Sequence, residues 1–289
     1  MLEHIKNAAS RRVKQCVDDR LTGCGKITRK KQLMKKRGAE IIKAEARGKI
    51  NGIREESELK RVDYDLELSL FIKQKNRYYL EQEVENRVAT FYQNVFVSDE
   101  EQEPAEEEAD YRLAGEFAEE AERLRFIYDR LRAVQYAERW WNDYNPRFEK
   151  FAVDCTNFIS QCLYAGGAPM RGYPDRSKGW WMQNKNWSYS WSTSHSLRQY
   201  LLSSKVGLRG KRVAHPAELK LGDVIFYDFQ GNGRFDHSTI VTAKDADGMP
   251  LVNAHTTNSR MRYWSYEDSS AYTENIQYTF VTIVDDREE

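Results

Sequence analysis

An acidic segment, SDEEQEPAEEEAD at residues 98–110, divides the sequence into two parts and so limits what the chain can fold into. Residues 99–122 contain twelve acidic residues against one Arg, and such a run of like charge around a proline is typical of a solvated linker. The 289 residues are enough for two domains, and the 40% hydrophobic content is enough for a core. The sequence predicts an N-terminal part at residues 1–98, a linker at 99–112 and a C-terminal part at 113–289.

Charge is spread unevenly along the chain although the formal net charge is +0. Residues 1–50 hold fifteen Lys and Arg against five Asp and Glu, but no recognised nucleic-acid-binding motif accompanies them, so a nucleic-acid partner is not expected. No apolar run approaches the length of a membrane span. The first residues lack the apolar core of a secretory signal, which predicts a cytoplasmic protein unless a leader was removed or export is unconventional.

The N-terminal part combines basic helices with extended runs. Residues 1–38 are predicted to be helical with a break at 21–25, and residues 41–55 form the first extended run. The next two runs alternate with a period of two and are separated by the polar turn KQKN. The alternating positions are Val62, Tyr64, Leu66, Leu68 and Leu70, then Leu80, Gln82, Val84, Asn86 and Val88. This pattern predicts a small α+β accessory domain whose antiparallel meander has one solvated face.

The C-terminal part has helical patterns first and strand patterns last. Helices are predicted at residues 114–141, from Cys155 to the pair Gly166 and Gly167, and at residues 194–202. The runs DVIFYDF, HSTIVTA, MPLVNAHTT and NIQYTFVTIVD are predicted to be strands. Helices followed by an antiparallel meander indicate an α+β domain.

Cysteine placement raises a question about chemistry. Cys155 directly follows an acid at the first turn of an apolar helix, and a helix N-terminus or a neighbouring imidazole lowers the pKa of a thiol. Cys162 falls on the apolar side of the same helix, so we expect it in the core. Cys16 and Cys24 have no nearby His, so we do not expect a metal pair, and four cysteines are too few for a disulfide framework.

Two histidines of the predicted strands complete a candidate constellation. His237 begins a strand after a glycine-rich turn, and His255 ends the next one, so pairing of the strands would bring the rings close together. Asn253 shares the face of His255 and could orient His237 instead. With Cys155, these residues provide a nucleophile, a base and an orienting group. We expect surface or structural roles for the other two histidines of this region, His195 and His215.

Four separated motifs carry a family resemblance. DCTNFISQCLYAGG, LKLGDVIFYDF, DHSTIVT and LVNAHTTNSR occur in this order and resemble the bacterial amidase domain of the papain-like superfamily. That domain is similar to NlpC-type cell-wall peptidases and CHAP amidases. The resemblance covers residues 125–289 but not residues 1–100. It implies a papain-like cysteine hydrolase fold, in which the helix bearing the Cys packs on an antiparallel sheet bearing the His.

The resemblance also implies a role for each residue. Cys155 would attack an amide carbonyl to form a thioester that water then hydrolyses, and His237 would act as the general base. His255 would orient His237, with Asn253 as the alternative. The backbone N–H of Cys155 could donate to the oxyanion. The implied substrate is a peptide or a peptidoglycan-type amide, and the resemblance implies no metal or cofactor.

Several residues keep two interpretations at this stage. Asp154 either satisfies backbone donors at the helix start or contributes to the site, and Asp236 is either a turn residue or a site residue. The tryptophans Trp180, Trp181 and Trp191 either line a substrate groove or fill the core. The loop DFQGNGRFD either turns a hairpin or binds calcium.

Two rival functions also remain at this stage. An acyltransferase would use the same thioester, and a catalytically silent binding module would use neither the Cys nor the His. The sequence does not indicate an oligomeric state.

Overall fold

The computed structural model of the chain describes residues 1–21, 25–102 and 126–287. The helices in these ranges are α1 Leu2–Val17, α2 Gly25–Lys36, α3 Arg130–Trp140, α4 Cys155–Ala165, α5 Tyr189–Ser192 and α6 Ser194–Ser203. The strands are β1 Ala39–Glu56, β2 Leu59–Gln74, β3 Arg77–Tyr92, β4 Val95–Glu101, β5 Met182–Gln183, β6 Asn186–Trp187, β7 Arg209–Val213, β8 Val224–Asp228, β9 His237–Lys244, β10 Pro250–Ala254, β11 Ser259–Tyr263 and β12 Gln277–Val284. None of the helices within these ranges has the length and apolarity needed to cross a bilayer.

The chain forms two compact units. The first unit comprises Met1–Pro104 and Thr257–Ser270, and the second comprises Ala105–Thr256 and Ala271–Glu289. Sequence patterns did not indicate that the segment Thr257–Ser270 leaves the C-terminal part. It joins the first unit because β11 pairs with β3, with Ser259 opposite Glu83.

The first unit contains the predicted antiparallel meander. Strands β1, β2 and β3 pair in sequence order, and Gln74 lies opposite Arg77 at the turn where KQKN was expected. Strand β4 pairs with the far end of β3 and continues to Glu101, which extends three residues into the predicted linker. Residues 103–112 of that linker, like the first half of the helix predicted at residues 114–141, lie outside the described residues.

Helices α1 and α2 lie on the apolar face of the meander, so the predicted pattern of the second run is confirmed. The alternating side chains of β2 are at most 2% exposed, and they pack with apolar residues of the helices. These buried residues are Ile5, Cys16, Ile27, Met34, Ile41, Val62, Tyr64, Leu66, Leu68, Leu70, Ile72 and Phe91.

The pattern predicted for the third run selected the wrong face of β3. The buried face carries Glu81, Glu83 and Glu85, whereas Val84 is the one predicted position of β3 that is buried, and Leu80 and Val88 are only half-buried. Burial of these carboxylates is possible because basic residues of the helices lie against them, and a buried charge needs such a partner. Their ion-pair partners on the helices are Arg12, Lys26 and Lys30.

The second unit is built on an antiparallel sheet with the strand order β10-β9-β8-β12-β7. The four C-terminal strands predicted from the sequence are confirmed, as is the helix that begins at Cys155 and ends before Gly166. Helix α3 begins only at Arg130, where Asp129 accepts a hydrogen bond from the Arg132 N–H at 3.0 Å. One core joins the helices to the sheet.

The groove interpretation of the three tryptophans is wrong. The side chains of Trp180, Trp181 and Trp191 are 0% exposed, so they fill the core. Each indole N–H is satisfied inside the protein, as buried tryptophans require. Trp180 donates to Ser160 Oγ at 3.0 Å, Trp181 to the Lys178 carbonyl at 3.1 Å and Trp191 to Asn157 Oδ1 at 2.8 Å.

Candidate active site

The candidate nucleophile is the first residue of α4. Cys155 is 2% exposed, and its backbone N–H donates to Thr256 Oγ1 at 3.1 Å. The N–H of Asp154 donates to the same hydroxyl oxygen at 3.1 Å. The first N–H groups of a helix have no partner within it, and here a threonine from another element supplies one. The oxyanion donor suggested by the resemblance is therefore already bonded in the resting protein.

The thiol of Cys155 faces the beginning of β9. Its sulfur lies 3.9 Å from the carbonyl oxygen of Asp236 and 3.7 Å from Thr156 Oγ1. Thr156 in turn contacts Ser238 Oγ at 3.1 Å. Residues on both sides of His237 in the sequence are thus held against the first turn of α4.

Burial raises the pKa of the Cys155 thiol above its usual value. The hydroxyls of Thr156 and Thr256 and the backbone of Ser238 lower the pKa in part, and the nearby carboxylate of Asp154 raises it further. In the resting protein, burial therefore outweighs the lowering of the pKa that was expected from the helix start. The thiol is protonated at neutral pH, so a base must remove its proton during any attack.

The candidate base, His237, is the first residue of β9 and is 9% exposed. Its ring lies among aromatic rings, with centroid distances of 5.6 Å to Tyr227 and 6.1 Å to Phe229. Its backbone carbonyl accepts a hydrogen bond from Ser194 Oγ at 2.8 Å. Successive side chains of a strand point to opposite faces of its sheet. The side chain of Ser238 points to α4, so the side chain of His237 points to the other face, which it shares with Tyr227 of the neighbouring strand β8.

His255 does not orient His237. Its Nδ1 lies 2.7 Å from Asp154 Oδ2, and its Nε2 lies 2.8 Å from the carbonyl oxygen of Trp140. The ring also stacks on Phe158 at 4.0 Å between centroids. Because both ring nitrogens are engaged elsewhere, the structure assigns His255 to Asp154 rather than to the candidate base.

The alternative orienting residue, Asn253, lies against α3. Its side-chain amide donates to Glu138 Oε1 at 2.8 Å, and its Oδ1 accepts from Thr242 Oγ1 at 2.9 Å. In the ladder Asn253 is opposite Ile240, three residues beyond His237. Its contacts therefore join β9 and β10 to the helix.

Asp154 supports the approach to α4 and is not placed to bind a substrate. The residue is 1% exposed. Its carboxylate accepts from the Phe151 N–H at 3.0 Å and from Asn157 Nδ2 at 2.8 Å, in addition to its contact with His255. Its side chain makes no cap bond to α4, so the capping interpretation is also wrong in its simple form. Thr256 takes over part of that role.

Asp236 belongs to a turn whose backbone faces the thiol. Its side chain is exposed, and its N–H donates to the Tyr227 carbonyl at 2.8 Å. In the same loop, the carboxylate of Asp228 accepts from the N–H groups of Gly231 at 2.8 Å and Gly233 at 2.7 Å. These bonds favour the hairpin interpretation of the loop over calcium binding. Within residues 1–21, 25–102 and 126–287, no cluster of three or more His, Cys, Asp or Glu could hold a metal ion.

The other histidines have structural contacts, as expected. His195 Nδ1 accepts from the Phe235 N–H at 3.4 Å, and His215 caps the short 3₁₀ helix Pro216–Glu218.

Of the remaining cysteines, Cys162 lies in the core as predicted, and Cys16 is buried as well. Cys162 is 0% exposed in the core of the second unit. Cys16 lies in the first unit, where burial raises the pKa of its thiol to about 11. Cys24 lies outside the described residues.

Sequence reasoning missed the hydroxyl groups that surround the thiol. Thr156, Ser238 and Thr256 all contact Cys155 or its neighbours. Thr256 also has φ +82°, a region that a β-branched residue rarely adopts. The motif LVNAHTTNSR contains this threonine, but roles were assigned only to His255 and Asn253.

Comparison with known proteins places the chain in a family. The family model described as "Putative amidase domain" matches residues 127–281. The uncharacterized protein YhbB of Bacillus subtilis (strain 168) is 52% identical over 271 residues, which is 90% of this chain and 86% of that protein. The uncharacterized protein YjcM of the same organism is 32% identical over 140 residues, or 45% of this chain and 31% of that protein. No solved structure matches the chain.

Proposed function

The chain belongs to the putative amidase domain family, and we propose that it is a cysteine-dependent amidohydrolase with Cys155 as nucleophile and His237 as general base. One observation carries the proposal. The Cys155 thiol, at the first position of α4, lies 3.9 Å from the carbonyl oxygen of the residue that precedes His237. The helix start that carries the thiol therefore packs against the backbone at the start of β9, where His237 lies, and this proximity supports the proposal. The proposal requires the imidazole to turn from the Tyr227 face toward the sulfur during the reaction.

The raised pKa of the thiol determines the order of proton transfer. As the sulfur of Cys155 attacks the amide carbon, His237 takes the thiol proton and the carbonyl π electrons move to oxygen. Collapse of this oxyanion breaks the C–N bond, and the amine leaves with the proton from His237. Water then attacks the thioester carbon while the same imidazole takes its proton. The C–S bond breaks to release the acid, and the imidazolium returns the proton to the sulfur.

The aromatic side chains beside His237 support a peptide-like substrate. Tyr227 contacts Tyr278 at 5.7 Å between centroids, and Tyr278 stacks on Phe280 at 6.0 Å. Tyr278 and Phe280 are only partly buried, so they offer an apolar wall to a ligand. The substrate class we propose is a peptide or a peptidoglycan-type amide that lies along these rings.

The burial of the thiol also supports a second candidate, an acyltransferase. Cys155 is 2% exposed, and an enclosed thioester meets an amine held in the site more readily than bulk water. An amine acceptor that increases product formation and appears in the product would favour transfer. Product that contains only the free acid would favour hydrolysis.

The test is turnover of a panel of peptide p-nitroanilides and peptidoglycan stem peptides. Cys155→Ala and His237→Ala should each lower kcat/KM by more than about a hundredfold because each removes a reacting group. Cys162→Ala is the matched control on the same helix, and it should retain turnover because Cys162 is part of the core. Full turnover by folded Cys155→Ala would contradict the proposal.

A further inference from the structure

Thr256 has a position in the second unit that the proposed mechanism leaves unexplained. Its hydroxyl accepts hydrogen bonds from the N–H groups of both Asp154 and Cys155, each at 3.1 Å. A capping residue directly before the helix would satisfy the same N–H groups and would not need a positive φ at Thr256. Here the capping oxygen comes from a threonine held at φ +82°, and such backbone outliers are concentrated at functional sites.

The distance from Thr256 to Cys155 is the distance that the reaction itself requires. Oxyanion donors in acyl-transfer enzymes lie about 2.7–3.1 Å from the position of the developing oxyanion. Thr256 Oγ1 is an oxygen acceptor at 3.1 Å from the N–H of the nucleophilic residue. The carbonyl oxygen of a substrate attacked by Cys155 must reach the same N–H, and one N–H aligns well with only one oxygen.

We propose that the Thr256 hydroxyl occupies the oxyanion position of the resting enzyme and that the substrate carbonyl oxygen displaces it. This inference rests on the proposed function, because it requires Cys155 to be the attacking group. The threonine then has two effects. It satisfies two N–H groups at the start of α4 in the absence of substrate, and it imposes a penalty on every acylation, because its bond to the Cys155 N–H must break first.

This role can be distinguished from plain helix capping by comparing two reactions of the Cys155 thiol. A structural cap only stabilises the helix start, so its loss would lower every reaction of the Cys155 thiol together. An occupant of the oxyanion position opposes only reactions that build an oxyanion. Acetylation by p-nitrophenyl acetate passes through such an oxyanion: sulfur bonds to the acetyl carbon, and p-nitrophenolate leaves. Alkylation by iodoacetamide forms a sulfur–carbon bond with loss of iodide and builds no oxyanion.

The experiment therefore measures the ratio of two rate constants at Cys155, acetylation by p-nitrophenyl acetate divided by alkylation by iodoacetamide. Both adducts are located by peptide mass spectrometry on the full chain. Thr256→Val removes the hydroxyl and should raise the ratio about threefold to tenfold, the factor that corresponds to one neutral hydrogen bond. Thr256→Gly also lacks the hydroxyl and accepts a positive φ without strain, so it serves if the valine variant does not fold.

Two controls define the result. Thr256→Ser keeps the hydroxyl and should bring the ratio back toward the wild-type value. Thr279→Val removes another buried hydroxyl of the same unit, one that accepts from Arg198 Nε at 2.9 Å, and should leave the ratio unchanged.

A ratio that falls or does not change in both hydroxyl-free variants would overturn the inference and leave Cys155 as the nucleophile. Wild-type protein that acquires no acetyl group at Cys155 would instead overturn the proposed function, and the inference with it.

Discussion

In the first unit, helices α1 and α2 meet β3 through buried charges, whereas in the second unit α4 packs into a core of aromatic and aliphatic side chains. Lys30 is 4% exposed and lies between the carboxylates of Glu81 and Asp268. Trp191 is 0% exposed and uses its indole N–H to hold Asn157 on α4. Both sets of side chains are buried, but one depends on charge compensation and the other on shape.

The difference matters because the two kinds of interface tolerate change differently. Loss of one partner from a buried ion pair leaves an uncompensated charge, which is strongly destabilising. Loss of volume from an apolar core leaves a cavity, whose effect depends on how far the surroundings relax.

The largest expected effect concerns the charged interface. Lys30→Met leaves Glu81 and Asp268 buried without this cation, so we expect the first unit to lose about 3–5 kcal/mol of unfolding free energy. The measurement is urea denaturation, with the unfolding of the first unit monitored by hydrogen exchange of the β3 amides. Lys36→Met is the matched control, because Lys36 is 69% exposed in its pair with Glu267 and should cost less than about 1 kcal/mol. Equal effects of the two substitutions would show that charge compensation does not hold α2 on β3.

The next effect concerns the aromatic core. Trp191→Leu removes packing volume and leaves Asn157 Oδ1 without its donor, so we expect a loss of about 3 kcal/mol, read from hydrogen exchange in α4. Trp187→Leu changes a half-buried ring on the edge of the same core and should cost about 1 kcal/mol. If both substitutions cost the same, the core does not depend on the fully buried ring.

The smallest expected effect is a loss of stability of the first unit at acidic pH. Burial alone would raise the pKa of Glu83, but Lys26, Lys30 and Arg262 overcome burial and lower the pKa to about 2. A depressed pKa adds stability above the unfolded value, near 4.5, and that stability is lost as pH falls toward 2. Through Glu83 the first unit should therefore lose about 1 kcal/mol per pH unit in this range, and the raised pKa of Glu81 opposes part of this loss. Circular dichroism and exchange in β3 between pH 5 and 2 would measure it, and no loss in this window would contradict the assignment.

Local patterns in the sequence predicted most of the second unit. The apolar spacing after Cys155, the glycine pair that ends α4, and the alternation in β8, β9 and β12 each depend on nearby residues only. The meander of the first unit followed from the same kind of signal. These elements form where the sequence indicated them.

The features that the sequence did not reveal depend on partners far along the chain. The buried face of β3 follows from basic residues more than fifty positions earlier, and no alternation rule includes them. The assignment of His255 to Asp154 joins residues 101 positions apart. The hydroxyl of Thr256 matters only because folding brings it to the start of α4, and no motif marks such an oxygen.

The measurement that most directly tests the central claim is site-resolved alkylation of the native protein. Iodoacetamide pulses between pH 5 and 10 are followed at Cys155, Cys162 and Cys16 in the wild type and in His237→Ala. If Cys155 is the nucleophile and His237 its base, Cys155 should react fastest of the three at every pH. His237→Ala should slow Cys155 near neutral pH and leave the other two unchanged. A Cys155 that reacts as slowly as Cys162, or equally fast without His237, would contradict the account.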